Sequence, residues 1–421
     1  MSGDASGQAL HHRLRAISPP LQARSGGSIR LLDGLFARFG KSVMARIDEG
    51  LATGSIEVLL PDGSISVVGG REPGIEAVLH LVDWRALFRL ATGGSGGWYI
   101  AWRNGEWSSP DPVAIFAIFS ANRHTLGGTG RAQGINRWVK QWANLARRNS
   151  RTGARRNIAE HYDLGNDFYA AWLDPTLSYS SALFADPAEP LEVAQRRKLH
   201  AILDRTATVP GDRLLEIGCG WGAFAALAAE AGRSVHAITL SAEQRDSIAA
   251  RAVPGVKVTL TDYRDVTGNY DGIASIEMVE AVGQEYWPEY LAVIARLLCP
   301  GGRAAIQYIA IDDAIFESYA ANVDFIQRYV FPGGMLLSRS RFRAIADAQG
   351  LDWQDEYCFG ADYAETLKRW RAAFDEAVAA WRLPSRFDSD FINLWRFYLM
   401  YCEGGFRGGG IDVAQVTLVK R

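Results

Sequence analysis

The sequence predicts an α/β protein: a doubly wound parallel sheet, preceded by a smaller α+β domain. Three observations predict it. From Leu214 onward, short apolar runs alternate with helical stretches: Leu214–Ile217, Val235–Leu240, Val256–Leu260, Gly272–Ile276 and Ala304–Ile309. Strands alternating with helices imply a parallel sheet covered on both faces. The first run ends in a glycine-rich turn, Glu216-Ile217-Gly218-Cys219-Gly220-Trp221-Gly222, that leads into a helix over Ala223–Gly232. A late strand, Val413–Val419, follows two further helical stretches.

A chain of 421 residues exceeds one ordinary core, and about 150 residues per domain suggests two or three, nearer two for an α/β fold. Residues 1–25, rich in Ser, Gly, Ala and Arg, read as a mobile tail. A first domain spans 26–125. Within it, Leu31–Ile47 has helical periodicity, and Ser55–Leu60 followed by Pro61-Asp62-Gly63-Ser64 reads as strand, turn, strand, because Asp-Gly supplies hairpin geometry. Asp111–Asn122 reads as a helix. This domain reads as a separate module and carries no catalytic constellation.

The linker, 126–160, is basic. Residues 131–159 hold eight Arg or Lys and no acid, with Trp138 and Trp142 one helical turn apart. One reading is a solvated connecting helix with a packed Trp stripe. The other is an amphipathic segment resting on anionic lipid headgroups. Nucleic acid ranks last, since no nucleic-acid module accompanies the patch.

The whole-chain charge of −2 predicts no polyanion partner. Cys219, Cys299, Cys358 and Cys402 have no paired spacing, so neither a metal site nor a disulfide framework is expected, and reduced thiols fit a cytoplasmic setting. The N-terminus lacks an apolar run of signal-peptide length, and nowhere do 18 apolar residues run together. A lipid substrate would be met from the membrane surface.

In the glycine turn, glycines permit positive φ and close approach of a ligand to the backbone, and the flanking strand and helix are the required context. A dinucleotide site wants G-x-G-x-x-G with pyrophosphate at the helix start. Here the pattern is E-x-G-x-G-x-G. An acid at the strand end suits a cation better, such as a sulfonium with an amino-acid tail. At the end of the second strand, where an acid for ribose hydroxyls is common, stand Thr239-Leu240-Ser241, with Glu243 and Gln244 just beyond.

Eight colinear motifs carry a resemblance. They are His161-Tyr162-Asp163-Leu164-Gly165-Asn166-Asp167-Phe168-Tyr169, Leu177-Ser178-Tyr179-Ser180-Ser181, the glycine turn, and Thr239-Leu240-Ser241-Ala242-Glu243-Gln244. Asp262-Tyr263-Arg264-Asp265, Ser275-Ile276-Glu277-Met278-Val279-Glu280, Phe331-Pro332-Gly333-Gly334 and Tyr401-Cys402-Glu403-Gly404-Gly405-Phe406-Arg407 complete the set. With these the chain resembles the cyclopropane-fatty-acyl-phospholipid synthase family, which includes the mycolic acid cyclopropane synthases, over roughly residues 29–421.

The resemblance implies a Rossmann-like class I methyltransferase domain over 161–421, with a mostly parallel seven-stranded sheet, that binds S-adenosylmethionine. The implied donor contacts are Tyr179, Ser180, Gly218, Gly220, Trp221, Thr239, Leu240, Ser241, Gln244, Tyr263 and Arg264; Glu216 and Gly222 of the turn join them. It also implies a bicarbonate ion serving as base, held by the main chain of Ser181 and Ile309 and by Glu280, Gln307 and Tyr363. Cys402 matches the family's active-site cysteine, and a packed small residue lining the pocket is the reading favoured for it. Glu277 is a candidate acid on the cofactor side. The family's N-terminal domain assists lipid binding and dimer formation, which implies a homodimer here, peripherally associated with the inner membrane.

The implied reaction needs a strong methyl electrophile, because an isolated cis-alkene is a poor nucleophile. Attack on the sulfonium methyl leaves a carbocation, which aromatic faces stabilise by roughly 0.5–2 kcal/mol each. Tyr179, Trp221, Phe331, Tyr363 and Phe406 are the candidates, with core packing as the alternative for each. Loss of a proton from the transferred methyl closes a cyclopropane.

Three positions depart from the best-known members: Ser181 stands for Cys, Ala281 for His, and Gln307 for His. Gln hydrogen-bonds but cannot become an imidazolium. A branch with Gln here is similar to enzymes making methylene- or methyl-branched chains, such as the precursor of tuberculostearic acid. The first expectation is therefore a cyclopropane on an unsaturated phospholipid acyl chain. The alternatives are a branched chain, methylation of a soluble small molecule, and a catalytically inactive lipid-binding paralogue.

Overall fold

The computed structural model describes residues 29–127 and 164–421, with side chains placed from Asp33 onward. The expected tail over 1–25, the basic segment over 131–159 and the start of the first motif, His161-Tyr162-Asp163, lie outside the described residues.

The N-terminal module opens with helix α1 (Ile29–Gly50), where helical periodicity was expected. Strands β1 (Thr53–Leu59) and β2 (Ile65–Gly69) pair antiparallel around the Asp-Gly turn. There Leu60 N–H donates to Ser64 O at 2.8 Å, and Gly63 takes φ 83°. β3 (Glu72–Leu81) runs parallel to β1. Helix α2 (Arg85–Arg103) is interrupted at Gly94, with φ 61° and ψ −147°. β4 (Trp107–Ser108) closes the sheet in the order β2-β1-β3-β4. Helix α3 (Pro112–Ala121) starts on Asp111, whose carboxylate accepts the N–H groups of Val113 and Ala114, the usual repair for orphaned donors at a helix start.

In the second part, α4 (Asn166–Ala170) and α5 (Leu191–Arg205) precede the sheet. Then follow β5 (Arg213–Ile217), α6 (Ala223–Glu230), β6 (Ser234–Thr239), α7 (Ala242–Arg251), β7 (Val256–Leu260) and β8 (Tyr270–Ile276). After them come α8 (Trp287–Leu297), β9 (Leu298–Ile311), α9 (Asp313–Ala320), α10 (Phe325–Tyr329), β10 (Leu337–Ser338) and α11 (Arg339–Ala348). The chain ends with β11 (Leu351–Cys358), α12 (Gly360–Ala379), α13 (Ser389–Arg407) and β12 (Ile411–Lys420).

The strand order is β11-β12-β9-β8-β5-β6-β7, with the two-residue β10 added beside β9. β5 to β9 run parallel, and β12 enters antiparallel between β9 and β11. The expected mostly parallel seven-stranded sheet is therefore present, with one short strand more. From β5 the chain runs outward through β6 and β7 and then crosses back to β8 on the other side of β5, so the strand ends at this reversal form the crevice where open α/β sheets bind ligands.

The N-terminal module is not separate, contrary to the sequence expectation. Residues from both parts, among them Val113, Phe116, Phe325 and Phe397, share one buried cluster. The physical reason is α3, PVAIFAIFSA, which is apolar all round and must be covered on every side. Its outer cover is α13, at two glycines. A Cβ on Gly404 would lie 2.3 Å from Phe116 Cβ, and one on Gly408 would lie 2.3 Å from Ala117 O. Only glycine permits this approach.

Candidate active site

A cavity of about 580 Å³ begins at the ends of β5, β6 and β8 and continues between α2, α3 and α13 into the N-terminal module. Its first half is built on the glycine turn. Gly218 takes φ 80° and Gly220 φ 51°. A Cβ on Gly218 would meet Met278 Cγ at 2.6 Å, so the turn can pass only as glycine.

Glu216 is buried at the tip of β5 and lines the cavity; its Oε2 has no hydrogen-bond partner. Burial pushes its carboxyl up to about 8, and a cation alongside would restore the charge. Thr239 Oγ1 donates to Gln244 Oε1 at 2.8 Å, which leaves the buried Gln244 Nε2 as an unpartnered donor. Leu240, Trp221, Tyr263 and Arg264 complete this half. Arg264 is held by two hydrogen bonds to Asp262, at 2.8 and 2.7 Å. An orphaned acid, an orphaned amide donor and a glycine cradle fit S-adenosylmethionine, with its sulfonium and amino-acid tail.

Two expected donor contacts sit elsewhere. Gly222 starts α6 at φ 77° and does not line the cavity; a Cβ there would meet Ile248 Cγ1 at 2.9 Å, so its glycine serves α6–α7 packing. Ser241 Oγ accepts the Gln244 N–H at 3.3 Å as the cap of α7, also outside the lining.

The second half is aromatic and apolar. Tyr179, Phe331, Tyr363 and Phe406 line it, with Trp221 shared between the halves. The Tyr363 and Phe406 rings lie 4.4 Å apart, and Tyr179 Oη is 2.8 Å from Tyr398 Oη. Cys402 lines the wall too, and burial pushes its thiol well above the ordinary range. A raised thiol disfavours the thiolate that a nucleophile needs. The far end is lined by Leu90, Trp98, Phe116 and Phe119 of the N-terminal module and by Leu126 just beyond it. No catalytic motif marks these residues; the available signal was the all-round apolar run Pro112–Ala121.

Between the halves stand two carboxyl groups, Glu277 and Glu280. Glu277 follows β8 with φ 49°, a left-handed conformation that costs a non-glycine residue roughly 1 kcal/mol or more. Its Oε1 accepts the Ser181 N–H at 2.9 Å and Gln307 Nε2 at 2.8 Å; its Oε2 accepts the Tyr363 hydroxyl at 2.7 Å. Burial raises its carboxyl, and those donors oppose the rise. Glu280 Oε1 accepts the Ile309 N–H, and its Oε2 has no partner. Burial, then the charge of Glu277, pushes Glu280 up to about 8.

This corrects two expectations. Glu277 faces the acceptor half and not the cofactor. Gln307, expected at the reacting centre, is fully buried behind Glu277 and outside the lining. Its Oε1 accepts Gln415 Nε2 at 3.0 Å, which turns its own Nε2 toward Glu277. The bicarbonate implied by the resemblance does not fit. Ser181, Gln307 and Tyr363 already spend their donors on Glu277, and Ile309 and Glu280 bind each other.

Sequence reading also missed what stands behind the site. Lys198 of α5 is fully enclosed and donates to Ser180 Oγ at 2.6 Å. Burial pulls its ammonium down to about 8, while Glu277, Asp174 and Glu216 hold it up. Gln195, one turn earlier, donates to Ser180 O at 2.9 Å. Both polar residues fall on the stripe of Leu199 and Ile202, and polar groups on an apolar stripe were the available signal.

Residues 149–416 match the family described as mycolic acid cyclopropane synthetase. A tuberculostearic acid methyltransferase of Mycobacterium tuberculosis is 38% identical over 383 residues, 87% of this chain and 88% of that one. The cyclopropane-fatty-acyl-phospholipid synthase of Escherichia coli K12 is 38% identical over 265 residues, 61% of this chain and 66% of that enzyme. A solved mycolic acid cyclopropane synthase, complexed with S-adenosylhomocysteine and CTAB, matches with a TM-score of 0.59 and 31% identity, covering 63% of this chain and 98% of that one. Coclaurine N-methyltransferase, at 20% identity and a TM-score of 0.53, shares the fold. The chain therefore belongs to the mycolic acid cyclopropane synthetase family and is an S-adenosylmethionine-dependent methyltransferase.

Proposed function

We propose that the chain transfers the methyl group of S-adenosylmethionine to the cis double bond of an unsaturated phospholipid acyl chain, and that the resulting cation is quenched by loss of a proton from the transferred methyl. The observation that carries this reading is the single cavity, with the Glu216 carboxylate at one end and an apolar channel at the other. Five aromatic side chains, Tyr179, Trp221, Phe331, Tyr363 and Phe406, line the same cavity, the environment a carbocation needs. A soluble polar acceptor would leave the end formed by Leu90, Trp98, Phe116 and Phe119 unused.

Closure of the ring is the first reading for the product. The C–H electron pair released with the proton bonds to the adjacent cationic carbon. A methylene-branched chain is the second, reached when a hydride shifts to the cationic carbon before the proton is lost. It is favoured by the match to a tuberculostearic acid methyltransferase along 87% of the chain and by Gln307. No helix among the described residues is long and apolar enough to cross a membrane, which supports an enzyme that takes its lipid from the bilayer surface.

The test is incubation with S-adenosylmethionine and vesicles of a cis-monounsaturated phospholipid. Mass spectrometry should find an acyl chain heavier by one methylene unit, and NMR should find cyclopropane protons with loss of the alkene signal. Exomethylene protons would select the branched product. No mass gain on any unsaturated lipid would reject the function.

A further inference from the structure

We propose that the carboxylate of Glu277 is itself the base of this reaction, taking the place of the bicarbonate that the resemblance implies. The inference rests on the proposed alkene methylation and adds the identity of the proton acceptor.

The geometry is that of a preorganised oxyanion site with its occupant built in. A main-chain N–H from Ser181, an amide N–H from Gln307 and the Tyr363 hydroxyl converge on one carboxylate at 2.9, 2.8 and 2.7 Å. These donors come from three separate parts of the chain, the Ser178–Ser181 loop, β9 and α12. Gln307 is aimed by Gln415, itself fully packed on β12. The site also holds Glu277 at φ 49°. Such a conformation persists where the surroundings over-determine it, and it recurs at functional sites. A carboxylate serving only to join structural elements needs no opening to the cavity, yet Glu277 lines it beside Tyr363 and Phe406.

The step balances as follows. The alkene π pair forms the new C–C bond while the S–C bond breaks and its pair stays on sulfur, leaving a neutral thioether. One C–H bond of the transferred methyl then breaks. Its proton forms an O–H bond to Glu277, and its electron pair fills the cationic carbon, directly to close the ring or after the hydride shift to form the exomethylene. The anion becomes a neutral carboxyl as the cation disappears, so the enclosed site ends with no separated charge. Burial raises the Glu277 carboxyl and so makes its anion more basic, while the three donors and the charge of Lys198 oppose that rise. Gln307, Gln415 and Lys198 are positioning residues.

The experiment compares wild type, E277G and E277Q on unsaturated phospholipid vesicles, in buffer stripped of carbonate and in buffer with added bicarbonate or formate. Glycine is at ease at φ 49°, so E277G is expected to fold and to leave a carboxylate-sized space ringed by donors. Wild-type turnover should be the same with and without carbonate. E277G should lose about 100-fold or more in stripped buffer, the scale of a lost general base. Millimolar formate or bicarbonate should restore part of it. E277Q, which fills the space with an uncharged amide, should be inactive and stay inactive with either anion. Calorimetry should find S-adenosylmethionine binding intact in both variants, separating loss of the base from loss of the fold. Turnover retained by E277Q, or wild-type turnover that requires bicarbonate, would overturn the proposal. A wild type inactive on every unsaturated lipid would instead reject the underlying function, a distinct result read before any variant is made.

Discussion

Tyr363 Oη donates to Glu277 Oε2 at 2.7 Å, joining α12 to the end of β8 across the cavity wall. The bond has two consequences. It fixes the carboxylate between the methyl donor's half of the cavity and the acyl half. It also holds the tyrosine ring against Phe406, at 4.4 Å between centroids, so that an aromatic face and a carboxylate border the same space.

Tyr363→Phe keeps the ring and removes the donor. A hydrogen bond to a charged group is worth about 1.5–3 kcal/mol, so turnover should fall by roughly 10- to 100-fold. Affinity for S-adenosylmethionine should hold, because the donor's half is built on β5 and β6. Product formation by mass spectrometry and binding by calorimetry check the two parts separately. An equal loss in both would assign Tyr363 a purely structural role.

Glu216→Gln replaces the buried, half-satisfied acid by a neutral isostere. S-adenosylmethionine affinity should weaken by about 10- to 100-fold, the scale of one charge interaction in an enclosed site. The ligand-free protein should be no less stable, since an orphaned buried carboxyl is removed. Unchanged affinity would remove Glu216 from the donor site.

Stability of the ligand-free protein should fall as pH rises from about 4.5 to about 8. Glu280 and Glu216 both titrate near 8 when folded, against an ordinary 4.5. A carboxyl with a raised folded value binds its proton more tightly in the folded state. Its stabilisation is complete below the unfolded value and is lost as pH climbs through the folded one. The E216Q/E280Q double variant should flatten that part of the profile, measured by thermal unfolding across the window. Lys198, lowered to about 8 from 10.5, acts in the window above it and leaves this slope alone.

Much of the molecule was legible in the residues, and the exceptions share a cause. The parallel strands, the Asp62-Gly63 hairpin and the glycine turn follow from local periodicity and backbone chemistry, which a sequence carries directly. Glu216 was picked out by its place at a strand end, and Tyr179 and the other aromatic candidates by the motifs that carry the resemblance; all of them line the cavity. Glu277 was misread because its side chain could turn either way, and only the meeting of three distant donors decides which. Gln307 was placed one layer too far forward for the same reason, since Gln415 fixes its amide from more than a hundred positions away. The wall formed by α2 and α3 could be read only as far as the apolar run Pro112–Ala121. An apolar helix announces that it is buried, but not against what.

That wall supplies a last prediction. Gly404→Leu forces a side chain into a contact where even a Cβ would lie 2.3 Å from Phe116 Cβ, and overpacking of this kind costs about 1–3 kcal/mol. The unfolding temperature should drop. The more telling effect is local, because Phe116 and Phe119 on α3 line the acyl end while Gly218, Thr239 and Gln244 line the donor end. Displacing α3 should therefore impair turnover on long-chain phospholipid and leave S-adenosylmethionine affinity near that of wild type. If affinity for the methyl donor falls in step with turnover, the joint between α3 and α13 supports the whole catalytic domain and the acyl channel is not its particular charge.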